Sequence, residues 1–252
     1  MFRELEGKNL TMKILSIGNS FSQDAQRYLH GLAKADGFDL QTVNLCVGGC
    51  SLETHYKNMR EDLAEYEYES NGVNTYEKVT MRSILESDTW DIITLQQASH
   101  FSAKYETYFP YLSELVAYVR ELCPKAKIYL QETWPYENGS ARLSSVGYQT
   151  SAEMFNDIKS CYASAGLEAK VDGIIPSGTA MMEAINRGMK IHRDTFHAGL
   201  GAGRYMLGLV WYKTLTGRNI TDNSFDNFDE EVALSEIQKV KEIANLVTDV
   251  SL

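Results

Sequence analysis

Proline is scarce in this chain, with 4 residues in 252 alongside 18 glycines, which rules out collagen-like and proline-rich architectures. An aromatic content of 11% excludes a disordered chain. Cysteine is equally scarce, and Cys46, Cys50, Cys123 and Cys161 are too scattered for a disulfide scaffold. Cys46 and Cys50 lack a second Cys pair or a His-x-x-x-His to complete a zinc site. All four read as reduced thiols packed as small apolar groups. No apolar run approaches the roughly 20 residues that span a bilayer. The opening MFRELEGKNLTMKIL lacks a signal-peptide core before a small-residue cleavage site. The expected compartment is the cytoplasm, or the exterior if the N-terminus has been trimmed, with no membrane partner. Basic patches are missing too: the net charge is −10, and no stretch clusters cations with aromatics as a nucleic-acid surface does. The acidity concentrates in residues 222–252, where eight carboxylates accompany only Lys239 and Lys241; this reads as a solvated helical face.

What is present is an alternation of short apolar runs with longer amphipathic ones. Strands are predicted over Met12–Gly18, Phe38–Val47, Trp90–Gln96, Ala126–Glu132 and Val171–Ile175. Helices are predicted over Ser22–Asp36, Leu52–Leu63, Tyr105–Leu122, Val146–Ala165, Ser177–Gly188, Ala198–Leu215 and Glu230–Val247. The polar stretch Glu65–Val79 carries an Asn71-Gly72 turn and reads as a hairpin inserted as an excursion from the core. The expectation is an α/β fold in one domain, 1–252: a three-layer α/β/α sandwich around a five-stranded parallel sheet. Such sheets carry their sites beyond the carboxyl ends of the strands, so the residues after Gly18, Val47, Gln96 and Glu132 are the ones to search.

After the first strand comes Gly18-Asn19-Ser20-Phe21-Ser22. A serine at a strand-to-helix turn presents its hydroxyl where the helix dipole and free amides favour an anionic oxygen; it also serves as a plain N-cap. Near the other end stands Asp194-Thr195-Phe196-His197. A carboxylate and an imidazole three residues apart can meet on one loop, which fixes the tautomer and frees the second ring nitrogen as a base.

In identity and chain order these two blocks resemble those of the SGNH hydrolases, the GDSL esterase/lipase superfamily, and the resemblance covers the chain from about Met12 to Leu215. It implies a flavodoxin-like fold, Ser20 as nucleophile, and Asp194 and His197 as acid and base. It also implies an oxyanion hole built from the Ser20 amide and a glycine after strand two. In Asn44-Leu45-Cys46-Val47-Gly48-Gly49, that glycine is Gly49. The chain departs from the family at its third block, where Gly-x-Asn-Asp is replaced by Gln96-Gln97-Ala98-Ser99-His100. A glutamine amide can donate as an asparagine does, so Gln97 is the first choice for the third donor and Gln96 the second. Ser99 or His100 serves if the loop bends differently. The branch implied is a bacterial one with a Gln-rich third block, and residues 1–11 fall outside the match as an N-terminal extension.

The activity implied is hydrolysis of short acyl esters, acetyl esters on carbohydrates among them, with no metal or cofactor. A longer-chain lipase or thioesterase, and a catalytically weak glycan- or ester-binding member of the fold, are the alternatives. Trp134 and His100 are candidate substrate-binding residues, and the loop Pro135–Ser145 is a candidate lid. His30, His55 and His192 carry no partner pattern and read as structural. Gly199, Gly201 and Gly203 look like a dinucleotide fingerprint, but they follow no strand, so close helix packing accounts for them better.

Overall fold

The computed structural model describes residues 11–249, so nearly all of the expected extension 1–11 lies outside the described residues. In chain order the elements are β1 (Met12–Gly18), α1 (Ser20–Gln26), α2 (Leu29–Ala35), β2 (Leu40–Cys46), α3 (Leu52–Glu61), β3 (Tyr66–Ser70), β4 (Val73–Val79), α4 (Met81–Leu85) and β5 (Ile92–Leu95). There follow α5 (Tyr111–Leu122), β6 (Lys127–Gln131), α6 (Ala141–Ser145), α7 (Ser151–Ala169), β7 (Gly173–Ile175), α8 (Ser177–Asn186), α9 (Ala202–Thr216) and α10 (Leu234–Asp249).

β1 is buried from Ile14 onward, as its unbroken apolar run requires of a central strand. Its side chains alternate between two cores. Ile14 joins Ile92 and Ile175 beneath α1, α2, α8, α9 and α10, while Leu15 and Ile17 join Ile93, Leu95 and Ile128 beneath α3, α4, α5 and α7. This is a three-layer α/β/α sandwich of the flavodoxin-like kind.

The sheet order is β4-β3-β2-β1-β5-β6-β7. The five expected strands pair in parallel, but the sheet has seven. The hairpin is not an excursion: β3 pairs antiparallel with β2 and β4 with β3, so the 65–79 segment widens the core sheet at its edge. Asn71 and Gly72 both take positive φ, 51° and 78°, as a tight hairpin turn needs. Two of the helices depart from expectation for a visible reason. Ser22–Asp36 is split into α1 and α2 where the Asn71-Gly72 turn packs on the Arg27 backbone, and α5 begins only after Pro110, preceded by a single 3-10 turn at Tyr105–Thr107.

The chain leaves β1 for β2 on one side and returns to β5 on the other. The carboxyl ends of β1 and β5 therefore flank the topological switch point, where α/β sheets open a crevice. Ser20 sits there.

Candidate active site

Ser20 is the first residue of α1, whose N-cap is Asn19; the Asn19 Oδ1 accepts from the Phe21 amide at 3.0 Å. The Ser20 amide, at the first helical position, has no intrahelical acceptor. The turn is braced from three strands. Gln96 Nε2 donates to Asn19 Oδ1 at 2.5 Å, Asn19 Nδ2 donates to the Cys50 carbonyl at 3.1 Å, and Gln131 Nε2 donates to the Phe21 carbonyl at 3.2 Å. The Ser22 hydroxyl lies 2.8 Å from Asn44 Oδ1, and Asn44 in turn donates to Glu69 of the hairpin at 2.7 Å. Glycine is required at position 18 because a Cβ there would collide with the Ser22 side chain.

His197 Nε2 lies 2.8 Å from Ser20 Oγ, and His197 Nδ1 lies 2.7 Å from Asp194 Oδ2. The carboxylate fixes the tautomer: Nδ1–H donates to Asp194, and the Nε2 lone pair faces the serine hydroxyl. Asp194 also accepts from the His197 backbone amide at 2.9 Å through its other oxygen. The turn closes because Thr195 adopts φ 75°, a left-handed conformation that brings residues three apart face to face. Burial pushes the Asp194 carboxyl up, but the bonds from the His197 ring and amide outweigh it and hold Asp194 below the usual aspartate range.

The loop carrying this pair is pinned to α1 by Asp24, one turn beyond Ser20 and fully buried. Its carboxylate accepts from Arg193 at 2.8 and 2.9 Å, from Arg204 Nε at 2.9 Å and from the Ala198 amide at 3.1 Å. The signal was present in the sequence, as an acid within the apolar face formed by Ala25 and Leu29, and sequence reasoning missed it.

Trp134 is not a pocket wall. It is fully buried and stacks on Phe21 with ring centroids 3.9 Å apart. Its Nε1–H donates to the Phe196 carbonyl at 2.7 Å, so its polar end holds the Asp194–His197 loop instead of meeting solvent. The Glu137 amide, donating to the Thr195 carbonyl at 2.8 Å, grips the same loop.

Neither glutamine offers its amide to the cavity above Ser20. Gln97 accepts from the Leu52 and Ala98 amides and spends its own N–H groups on Thr107, at 3.0 and 3.1 Å. It lies just beyond β5 and stitches the end of that strand to α3. Gln96 gives one of its two N–H groups to Asn19 and does not line the cavity. The third-block residues that do line the cavity are Ser99 and His100. Ser99 Oγ lies 2.9 Å from the Tyr136 hydroxyl. Burial, then the charges of Lys104 and Arg142, push the His100 imidazole below its ordinary value, so it is neutral at pH 7 with one N–H to donate.

The cavity has a volume of about 400 Å³, and Gly48 and Gly49 line it together with Ser20 and His197. Gly49 takes φ 64°, open to glycine without strain. Arg142, from the expected lid, and Phe196 close the remaining side; neither was singled out from the sequence. Clefts of about 700 and 490 Å³ lie elsewhere, against β7 and α10, so size alone does not select the site. Among the described residues no three His, Cys, Asp or Glu side chains converge as metal ligands, and no helix is long and apolar enough to cross a membrane. His55 is fully buried and pushed down to about 3, His30 bonds the Leu40 carbonyl and His192 the Pro135 carbonyl. The four cysteines are free and buried.

Solved structures share this fold, a mostly parallel sheet flanked by helices. A proposed SGNH hydrolase from Slackia heliotrinireducens is similar at TM-score 0.59 and 21% identity, over 82% of this chain and 100% of that one. A member of the lipolytic G-D-S-L family from Veillonella parvula is similar at TM-score 0.54 and 14% identity, over 82% and 99%. The chain itself belongs to the DUF4886 family, described as a domain of unknown function, which it matches over residues 13–246. A DUF4886 protein from Bacteroides uniformis is 34% identical over 96% of both chains, with TM-score 0.90. No curated protein matches the chain.

Proposed function

We propose that this protein is a serine ester hydrolase acting on short acyl esters, acetyl esters of carbohydrate-like alcohols among them, through an acyl-enzyme on Ser20. One observation carries the reading: the unbroken chain from Ser20 Oγ through His197 to Asp194, with links of 2.8 and 2.7 Å. A hydroxyl bonded to an imidazole that is itself oriented by a carboxylate is the arrangement that activates a weak nucleophile. The names of the fold neighbours from Slackia and Veillonella support the same class.

In this mechanism His197 Nε2 takes the Ser20 proton as Oγ attacks the ester carbonyl. Asp194 stabilises the imidazolium that results. The tetrahedral oxyanion is held by the amides of Ser20 and Gly49, with His100 in place of either glutamine as the third donor. His197 then gives its proton to the departing alcohol. Water enters, loses a proton to His197 and attacks the acyl carbonyl; collapse of the second intermediate restores Ser20 and releases the acid. A cavity of only about 400 Å³, which must hold both parts of the ester, favours a short acyl group.

Covalent labelling tests the nucleophile. A fluorophosphonate should modify Ser20, mapped by peptide mass spectrometry, and labelling should be lost in His197→Ala. Labelling at another residue, or none, contradicts the reading. A p-nitrophenyl ester series should favour acetyl and propionyl over octanoyl; the reverse order would identify a longer-chain lipase or thioesterase.

A further inference from the structure

The cavity over Ser20 carries a positive charge that no carboxylate answers. Arg142, from α6, lies over the Phe196 ring, its Cζ 3.7 Å from the centroid, with the Tyr136 ring 5.7 Å away. The polar group it approaches is the Tyr136 hydroxyl, which is neutral. Among the described residues it forms no ion pair, whereas the neighbouring Arg193 and Arg204 are both taken up by Asp24. In a chain of net charge −10, an arginine left without a counter-ion at the mouth of a cavity stands out. A guanidinium stacked by its face on an aromatic ring keeps its edge N–H groups free, and that edge matches a carboxylate in bidentate fashion.

The geometry also indicates which part of an ester would meet it. His197 delivers the proton to the leaving alcohol, so the alcohol must lie against His197. Phe196 packs on the His197 ring with centroids 3.7 Å apart, and Arg142 packs on the other reach of Phe196. In the mechanism above the carbonyl oxygen is held by the Ser20 and Gly49 amides instead, and Gly48 and Gly49 line the same cavity. We propose that Arg142 is a specificity residue that selects esters whose alcohol portion bears a carboxylate. This rests on the esterase reading above. The bland alternative is a cation–π contact that merely packs α6 onto the catalytic loop; that role would be indifferent to substrate charge.

The test compares 3-acetoxybenzoate with the neutral 3-acetoxybenzamide, using wild type, Arg142→Gln and Arg142→Lys. The readout is the ratio of the two kcat/KM values, which cancels any general loss from disturbing the loop. A charge-assisted contact of ordinary strength makes that ratio fall about tenfold or more in Arg142→Gln, with partial recovery in Arg142→Lys. A ratio unchanged within about twofold between wild type and Arg142→Gln overturns the proposal. So does a charge preference that shows instead on the acyl side, between p-nitrophenyl hydrogen succinate and p-nitrophenyl butyrate. If wild type hydrolyses neither acetate in a Ser20-dependent way, the esterase reading fails, and calorimetric binding still decides on Arg142. Ser20→Ala should bind 3-hydroxybenzoate more tightly than 3-hydroxybenzamide, and adding Arg142→Gln should abolish the difference. Equal binding of the two by Ser20→Ala overturns the proposal.

Discussion

Asp24, itself fully buried, forms an ion pair with Arg193, both carboxylate oxygens lying within 2.8–2.9 Å of one guanidinium nitrogen, and this pair joins the helix that bears Ser20 to the loop that bears His197. Ser20 and His197 are 177 positions apart in sequence, so their 2.8 Å contact depends on such cross-links. Asp24→Asn leaves Arg193 and Arg204 without their shared counter-charge. Arg193 is exposed and Arg204 keeps Asp229 as a partner, so the loss is that of charge-assisted bonds, about 1.5–3 kcal/mol. Thermal unfolding should show a midpoint lowered by roughly 5 °C, since each kcal/mol is worth about 2–4 °C in a chain of this size. Turnover at a temperature where the variant is folded should fall as well, because the loop loses its anchor.

Trp134→Phe separates packing from positioning. The stack on Phe21 is kept, while the bond to the Phe196 carbonyl is lost. Displacements of about 1 Å remote from the reacting atoms reduce rates by up to about 100-fold. Steady-state kinetics should therefore show a reduced kcat with KM little changed. A raised KM with full kcat would indicate a substrate-contacting role, contrary to its burial.

In the proposed mechanism His100, and not Gln97, is the third oxyanion donor. His100→Ala should lower kcat by about 10²–10³, the usual cost of one oxyanion donor. Gln97→Leu should instead destabilise the fold by about 1–3 kcal/mol, because the Leu52 amide and the Thr107 groups lose buried partners. Denaturant melts and kinetics on both variants check the assignment. A Gln97 variant that is stable but inactive would reverse it.

Glu132, buried at the end of β6 and accepting from the Thr179 amide and hydroxyl, gives stability a pH dependence. Burial, opposed by these bonds, raises its carboxyl from 4.5 to about 7. Between those two values the unfolded chain has released the proton and the folded chain still holds it, so stability falls as pH rises, by roughly 3 kcal/mol at most. Below 4.5 both states are protonated, and above about 7 both are ionised, so the effect is flat outside that window. Urea midpoints measured across the window should decline in wild type, and the decline should shrink in Glu132→Gln.

The parallel core, and the meeting of Asp194 with His197 on one turn, were legible in the sequence for a local reason. Ser20 directly follows a strand, and Asp194 and His197 are close enough in sequence to meet on one turn. Gln97 and Trp134 were misread because their roles depend on which way a side chain leaves the end of a strand. At Gln96-Gln97, just beyond β5, a shift of one residue sends an amide to a different set of partners. The hairpin's turn was plain in Asn71-Gly72, but its pairing with β2 was not, since strand pairing is a long-range choice. Asp24 and Arg142 act through partners more than fifty residues away in sequence, Arg193 and Phe196 respectively, which no local pattern reveals.

The central claim is that Ser20 and His197 carry acyl transfer, and its most direct test is hydrolysis of p-nitrophenyl acetate by wild type, Ser20→Ala and His197→Ala under identical conditions. Removing a nucleophile or base from a working triad lowers turnover by up to roughly 10⁶, so both variants should fall to background while wild type turns over. Equal rates in all three proteins would contradict the mechanism.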